Sequence, residues 1–280
     1  MKELTGQAKV RDATVAGIFY PDDPSELETR VEALLQAARP SISNACAIVS
    51  PHAGLDYSGD LSALAWKSAA ASRIDTVLVL APLHRAEESL VYLPESDYFE
   101  MPTGRVIVDR DLVEEMKDCG TIMSENDIPH LEEHGIELQL PFMLAQFPSA
   151  RLVPVLMGKP SPAVVKALAS ALSIVFSQRI ESTLVVLSSD LGSAKEEHIA
   201  SACADRFLRS FLAEDAKSLL EGLTAGHICA CGSGCASAYF ASGLAKGLRP
   251  FLLGRHDSSA SRETGEEHLV HYAAIAFGNA

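Results

Sequence analysis

Three segments of the chain carry side chains able to hold a metal or move a proton, and each follows an apolar run. Pro51-His52-Ala53-Gly54 comes after Ala45-Cys-Ala-Ile-Val-Ser50, Pro82-Leu83-His84-Arg85 after Thr76-Val-Leu-Val-Leu-Ala81, and Ser189-Asp190 after Thr183-Leu-Val-Val-Leu-Ser188. An imidazole just past a strand end serves as a metal ligand, a proton-transfer group or a hydrogen-bonded loop residue. His52 and His84 share this placement, which is what a common ligand would require. Cys231 lies in His227-Ile-Cys229-Ala-Cys231-Gly-Ser-Gly-Cys235, just before a helix start near Ser233. Backbone N–H groups there favour the thiolate, the form that binds metals, although small thiols also pack well beside Ala and Gly. The Cys-x-Cys-x3-Cys spacing is not that of a structural zinc site. Asp190 could orient a ligand, accept a proton or cap the following helix. A helix from His130 to Gln146 would set His130, His134 and Glu137 on one face, and His130-Leu-Glu-Glu-His134 matches the H-x-x-E-H pattern of a zinc hydrolase. A solvated first helical turn explains the same residues.

The elements that position these residues follow from hydrophobic pattern. The three runs above, with Leu152-Val-Pro-Val-Leu156 and Tyr272-Ala-Ala-Ile-Ala-Phe277, are continuously apolar and predict buried strands. Segments of helical period lie between them: Ser25 to Ala38, Leu61 to Ala71, Asp109 to Lys117, His130 to Gln146, Ala163 to Phe176, Glu196 to Phe211 and Ala236 to Leu248. This alternation predicts one α/β domain over 1–280 in three layers, a mostly parallel sheet with helices on both faces, and a hairpin excursion around Leu90 to Val108. Arg255 to Gly265 is polar and turn-rich, a surface loop or a lid. In such folds ligands bind beyond the carboxyl ends of the strands, where His52, His84 and Asp190 fall.

Composition narrows the partners. The 280 residues hold 23 Lys+Arg against 37 Asp+Glu, a net charge of −14, with no basic cluster to meet phosphates, which argues against nucleic acid or anionic membranes. The start, Met1 to Val10, has no apolar core of a signal peptide and no apolar stretch reaches membrane-spanning length, so a cytoplasmic protein is expected. Six cysteines in a chain of this size are expected to be reduced thiols.

These pieces in this order resemble the Memo family, also called AmmeMemoRadiSam system protein B. The resemblance runs through Arg11-Asp-Ala-Thr-Val-Ala-Gly17-Ile-Phe19-Tyr20-Pro21, Pro51-His52-Ala53-Gly54-Leu-Asp-Tyr57-Ser58-Gly59, Ala81-Pro-Leu-His84-Arg85 and Met101-Pro102-Thr-Gly104. It continues through Glu133-His134-Gly-Ile-Glu137-Leu-Gln-Leu140-Pro141-Phe142, Ser188-Ser-Asp190, Cys231-Gly232 and His271-Tyr-Ala-Ala-Ile-Ala-Phe277. It implies a fold like that of class III extradiol ring-cleavage dioxygenases and a pocket metal on His52, His84 and Cys231, with Asp190, His134 and Glu137 lining the pocket. Two imidazoles and one thiolate suit Fe(II) or Cu, then Zn, over Mg or Ca. The implied activity is a metal-dependent oxidoreductase acting on a small molecule or peptide. The implied partners are radical-SAM and AMMECR-type proteins, which also leaves room for a non-catalytic binding module. The family's acid/base histidine is replaced here by Ser193, whose hydroxyl cannot shuttle protons near neutral pH. His134, Glu137 or His198 would have to substitute for it.

Overall fold

The computed structural model describes residues 8–69, 74–260 and 268–279. Met1 to Gln7, the end of the helix read over Leu61 to Ala71, and the 261–265 part of the polar loop lie outside the described residues.

In chain order the strands are β1 (Val10–Arg11), β2 (Ala47–Ser50), β3 (Thr76–Pro82), β4 (Val91–Leu93), β5 (Tyr98–Met101), β6 (Gly104–Ile107), β7 (Met123–Glu125), β8 (Arg151–Met157), β9 (Thr183–Ser188), β10 (Gly192–Ala194), β11 (Leu248–Asp257) and β12 (Leu269–Asn279). The helices are α1 (Pro24–Ala37), α2 (Leu55–Ser68), α3 (Arg110–Lys117), α4 (Asp127–Glu132), α5 (Leu140–Gln146), α6 (Pro162–Phe176), α7 (Glu197–Leu212), α8 (Ala216–Thr224) and α9 (Ser233–Ser242). The nine-stranded sheet runs β10-β12-β2-β9-β3-β8-β4-β7, with β11 on the other side of β12. The central four, β2-β9-β3-β8, are parallel, and every residue of β2, β3 and β9 is buried. Burial on both faces is why these strands are continuously apolar. One helix group, α1, α2 and α5, and a second built on α6, α8 and α9 cover the sheet. Helix starts follow their side-chain caps: Asp23, Asp109, Ser161 and Asp215 each accept a backbone N–H of the first turn.

The flanks depart from a mostly parallel sheet. Strands β12 and β4 run antiparallel to the parallel core, so the sheet is mixed at its margins. The hairpin expected around Leu90 to Val108 is β5 and β6, joined by β1 in a small sheet of its own, whereas β4 pairs with β8 and β7. The helix read as far as Leu248 ends at Ser242, where Gly243 takes up a left-handed φ of 79°, and β11 begins instead. Arg255 to Asp257, read as loop, are the end of that strand. Cys203 and Cys229 lie side by side with Cα atoms 5.6 Å apart, the spacing of a disulfide pair, which sets them apart from the other cysteines.

The predicted helix from His130 to Gln146 is three pieces: α4, a 3-10 turn at Glu137–Gln139, and α5. Helical geometry stops at Glu133, which is extended at φ −115° and ψ 135°. The break is held from the far side by Arg11. Its guanidinium is 1 % exposed and pairs with Glu137, donates to the carbonyls of His130 (2.9 Å) and Glu133 (3.1 Å), and lies 5.3 Å from the Phe99 ring centroid. Glu137, fully buried, also accepts from Tyr20 Oη and from the backbone N–H groups of Thr14 and Val15. Burial would raise the Glu137 carboxyl, but the Arg11 charge and these donors hold it below the usual range. The pair therefore ties the N-terminal segment to the residues that lead into the strand-end loops.

Removing one member of a buried, hydrogen-bonded pair leaves the other charge uncompensated. Arg11→Ala is expected to cost about 3–5 kcal/mol in urea unfolding, while the double change Arg11→Met with Glu137→Gln, whose neutral amide oxygen still accepts from Thr14, Val15 and Tyr20, should recover part of that loss. Equal destabilisation by the single and double variants would show that the charge pairing is not what holds this segment.

Candidate metal centre

Proton positions at the first histidine can be worked out from a chain of one-way donors. The indole N–H of Trp66, a fully buried side chain, donates to Gln139 Oε1 at 3.0 Å. That orients the Gln139 amide so its Nε2 donates to the Pro51 carbonyl (2.9 Å) and to Ser188 Oγ (3.1 Å). Ser188 has one hydroxyl proton, which it gives to the Gly135 carbonyl at 2.6 Å. Its contact with His52 Nδ1, at 2.8 Å, must then be a bond it accepts. Nδ1 carries the proton, and in the neutral ring Nε2 presents a lone pair, 3.3 Å from Cys231 Sγ.

At His84 the donor role of Nδ1 is fixed by a shorter route. Its Nδ1 lies 2.9 and 3.0 Å from the two oxygens of Glu133, and its backbone N–H donates to Glu133 Oε2 at 2.8 Å. A carboxylate only accepts, so Nδ1 is again the donor and Nε2 remains for a ligand. Glu133 is 3 % exposed and also accepts the N–H groups of His134 (2.9 Å) and Gly135 (3.0 Å). Burial would raise its pKa, but the hydrogen bonds and charge of His84 outweigh it and hold the carboxyl at about 2. In the metal-free protein burial also works against a proton on His84, while Cys231 and Glu133 hold its pKa up to about 9.

Cys231 sits two residues before α9 and accepts the backbone N–H of Asp190 at 3.2 Å. Gly232 makes this approach feasible: a Cβ there would lie 2.5 Å from Ser189 Cβ and 2.9 Å from the Ser188 carbonyl. Its N–H donates to Ser189 Oγ at 2.9 Å, pinning the loop to the end of β9. Donor atoms of His52, His84 and Cys231 all lie within 4.8 Å of one another, as do those of His84, Glu133 and His134. His52 is buried and His84 open to solvent, so the group has a closed and an accessible side.

The remaining candidates separate. Asp190 is beside the group: Oδ1 accepts the His52 N–H at 3.1 Å and Oδ2 lies 3.9 Å from His52 Nε2. It does not cap a helix, because the chain continues into β10 and α7 starts after Glu196. The His134 ring stacks on His84 (centroids 5.1 Å, 8° between planes) and on Phe19 (4.9 Å, 27°). Burial and the neighbouring His52 push its pKa down to about 4. Glu137 faces Arg11 and Tyr20 rather than these donors. His130 is 1 % exposed, packed edge-on to Phe99 at 5.9 Å, without a well-formed hydrogen bond at either ring nitrogen, and burial pushes its pKa down to about 3. Because helical geometry stops at Glu133, His130 and His134 do not share a face, and the zinc-hydrolase reading loses its ligand pair. Ser193 is exposed in β10, with Oγ 3.3 Å from His268 Nδ1, and His198 is exposed in the first turn of α7.

Ser188, Gln139, Trp66 and Glu133 hold the histidines, and sequence pattern singles out none of them for that role. Only the Glu133-His134-Gly135 run carries a signal, a glycine five residues past the start of a predicted helix, which marks a weak point in it.

A family model described as "Memo-like protein" matches residues 11–276. A "MEMO1 family protein" of Thermotoga neapolitana is 29% identical over 239 residues, covering 80% of this chain and 85% of its own. One of Methanosarcina barkeri is 28% identical over 267 residues, covering 95% and 99%. A solved structure of an uncharacterized protein from Escherichia coli K12 aligns with 97% of this chain and all of its own, at a TM-score of 0.44 and 10% identity. The match from Arg11 to Ala276 spans the N-terminal clamp, all three donors and the closing strand, and the chain belongs to the Memo-like family.

Proposed function

We propose that this protein holds one iron or copper ion through Nε2 of His52, Nε2 of His84 and Sγ of Cys231, and acts as an oxidoreductase of dioxygenase-like type. The observation that carries the reading is that both imidazoles have Nδ1 committed as a donor, to Ser188 and Glu133, while their other nitrogens converge with a thiol. Two neutral nitrogens and one thiolate suit a soft divalent or monovalent ion, iron and copper ahead of zinc. Such an ion would supply Lewis acidity and one-electron chemistry at positions left open for a ligand. The chain's own residues would do the rest. His134, neutral at physiological pH, offers a hydrogen bond beside the donors, and Asp190 is the carboxylate placed to accept a proton there. Glu137 is committed to Arg11 and does not take part.

A second reading, a non-catalytic pocket for a small molecule or peptide within a radical-SAM and AMMECR-linked pathway, draws on the exposed hydroxyl of Ser193 at the shuttle position. It predicts a protein that carries no metal under reducing, metal-replete conditions.

Anaerobic purification followed by elemental analysis should find about one Fe or Cu per chain. Cys231→Ala should lose the ion and His130→Ala should keep it; the opposite pattern would sink the assignment. Because His84 holds a proton up to about pH 9 without the ion, binding must displace it. Apparent affinity in chelator competition should climb by up to about tenfold per pH unit for each proton displaced, that of His84 and that of the thiol, and the His84 contribution should level off above about pH 9. In the metal-free protein the sign is reversed: the raised His84 value contributes stability complete below about pH 6.5 and lost as pH rises through about 9, read as a falling thermal midpoint. Trp66→Phe should keep the fold but free the Gln139 amide to turn, lowering metal affinity about 10–100-fold. Unchanged affinity would mean that the indole does not set the His52 tautomer.

A further inference from the structure

Two cysteines outside the donor group sit side by side, and each adjoins a segment that carries one of its members. Cys203 is 3 % exposed on α7, whereas Cys229 is exposed in the 225–232 loop between α8 and α9, two residues before Cys231. Their Cα atoms are 5.6 Å apart, a separation that a disulfide spans without backbone movement. Cys203 also backs onto the strand that follows Asp190: a Cβ at Gly192 would lie 3.2 Å from Cys203 Cβ. Asp190 in turn donates its N–H to Cys231 Sγ at 3.2 Å. Contacts thus run in a circuit from Asp190 through Gly192, Cys203 and Cys229 to Cys231 and back. Around it the loop is fastened by weaker means. Arg206 of α7 donates to the His227 carbonyl at 3.2 Å, Ile228 packs on Gly222, and the Gly232 N–H reaches Ser189.

One buried and one exposed partner make the pair enterable from one side, because thiol–disulfide exchange needs access to the sulfur attacked. The Cys229 thiolate attacks an external low-molecular-weight disulfide and expels one thiol; Cys203 then attacks Cys229 Sγ and expels the second. The external disulfide gains two electrons and both S–H protons, and the pair loses them. The reverse begins with an external thiolate on Cys229.

We propose that Cys203 and Cys229 are a reversible thiol–disulfide site whose linked form holds Cys231 against Asp190 and whose reduced form releases it. The proposal rests on the metal-centre reading only for its consequence, that an ion on Cys231 is held more tightly in the linked form. Cys231 reports the switch without any ion. Metal-free full chain is equilibrated in mixtures of oxidised and reduced glutathione, freed of glutathione, pulsed with iodoacetamide and mapped by peptide mass. The 203–229 linked peptide should rise with the share of oxidised glutathione and disappear when the ratio is reversed. Cys231 should be alkylated about tenfold faster in the reduced protein than in the linked one. Cys229→Ser should show the fast rate in every mixture, and Cys203→Ala, with unchanged circular dichroism, should do the same. The proposal is overturned if the linked peptide is absent in oxidised glutathione or persists in reduced glutathione, or if Cys231 is found linked in place of either partner. It is also overturned if Cys231 reacts at one rate in the linked and reduced protein. A rate difference in a protein that binds neither Fe nor Cu supports this site and counts against the metal-centre reading alone.

Discussion

The indole N–H of Trp66 is a donor that cannot accept, and the geometry of the first histidine depends on that asymmetry. Each later link has one consistent arrangement: the Gln139 amide must offer its oxygen to the indole and its nitrogen to Ser188, Ser188 must spend its proton on Gly135, and His52 must donate through Nδ1. Glu133, which only accepts, imposes the same outcome on His84 in one step. A buried network satisfied in a single sense is worth more than its separate bonds, because reversing any link leaves a buried donor facing a donor. The Nε2 atoms of both rings are thereby left to face Cys231, by groups that hold each ring through its other nitrogen.

The second constraint is the break at Glu133. Two carboxylates four residues apart would lie on one face of a continuous helix; with the chain extended at Glu133 they serve opposite sides. Glu133 collects three backbone N–H groups and the His84 ring, and Glu137 collects Arg11, Tyr20 and the N–H groups of Thr14 and Val15. The free N–H groups that a helix interrupted at this point leaves behind are thus what satisfy a buried carboxylate. The clamp also fixes Phe19, which lies on the same N-terminal segment as Arg11 and Tyr20 and forms a wall against His134. Stability of the fold and shape of the pocket therefore share one ion pair.

Much of this was legible in the sequence for identifiable reasons. The runs ending at Ser50, Ala81 and Ser188 are buried on both faces, a condition that leaves an unbroken apolar signature, and their ends lead into His52, His84 and Asp190. Cys231 was legible from the glycines and small residues that bring it to a helix start. What escaped pattern were effects of tertiary contact. Helical periodicity continues through 133–136, yet the Glu133 side chain is drawn off to His84 and its carbonyl to Arg11, which lie about 50 and 120 residues away in sequence. Strand β11 escaped because it flanks only β12 and is largely half-exposed, so its residues lack the apolar run of the core strands. The Cys203–Cys229 pair escaped because its members are 26 residues apart, on α7 and in the loop before Cys231.

The groups around the donors differ in what they can do with a proton. His134 is held neutral, down to a pKa of about 4, by burial and by neighbours that are themselves imidazoles. Glu133 is held ionised at about 2 and spends its oxygens on hydrogen bonds, and Glu137 is sealed under Arg11. The proton most strongly retained is on His84, and an ion at Nε2 would displace it. Were an ion held there, Asp190 would be the carboxylate left beside it, 20 % exposed and tied by one oxygen to the His52 backbone. A ligand that must lose a proton on binding would have that carboxylate to receive it. A ligand that must gain one would draw on solvent through the open side of His84, since Ser193 offers only a hydroxyl. Under the proposed metal reading the arrangement would therefore suit a ligand that gives up a proton on binding, with Asp190 as the carboxylate beside His52 to receive it.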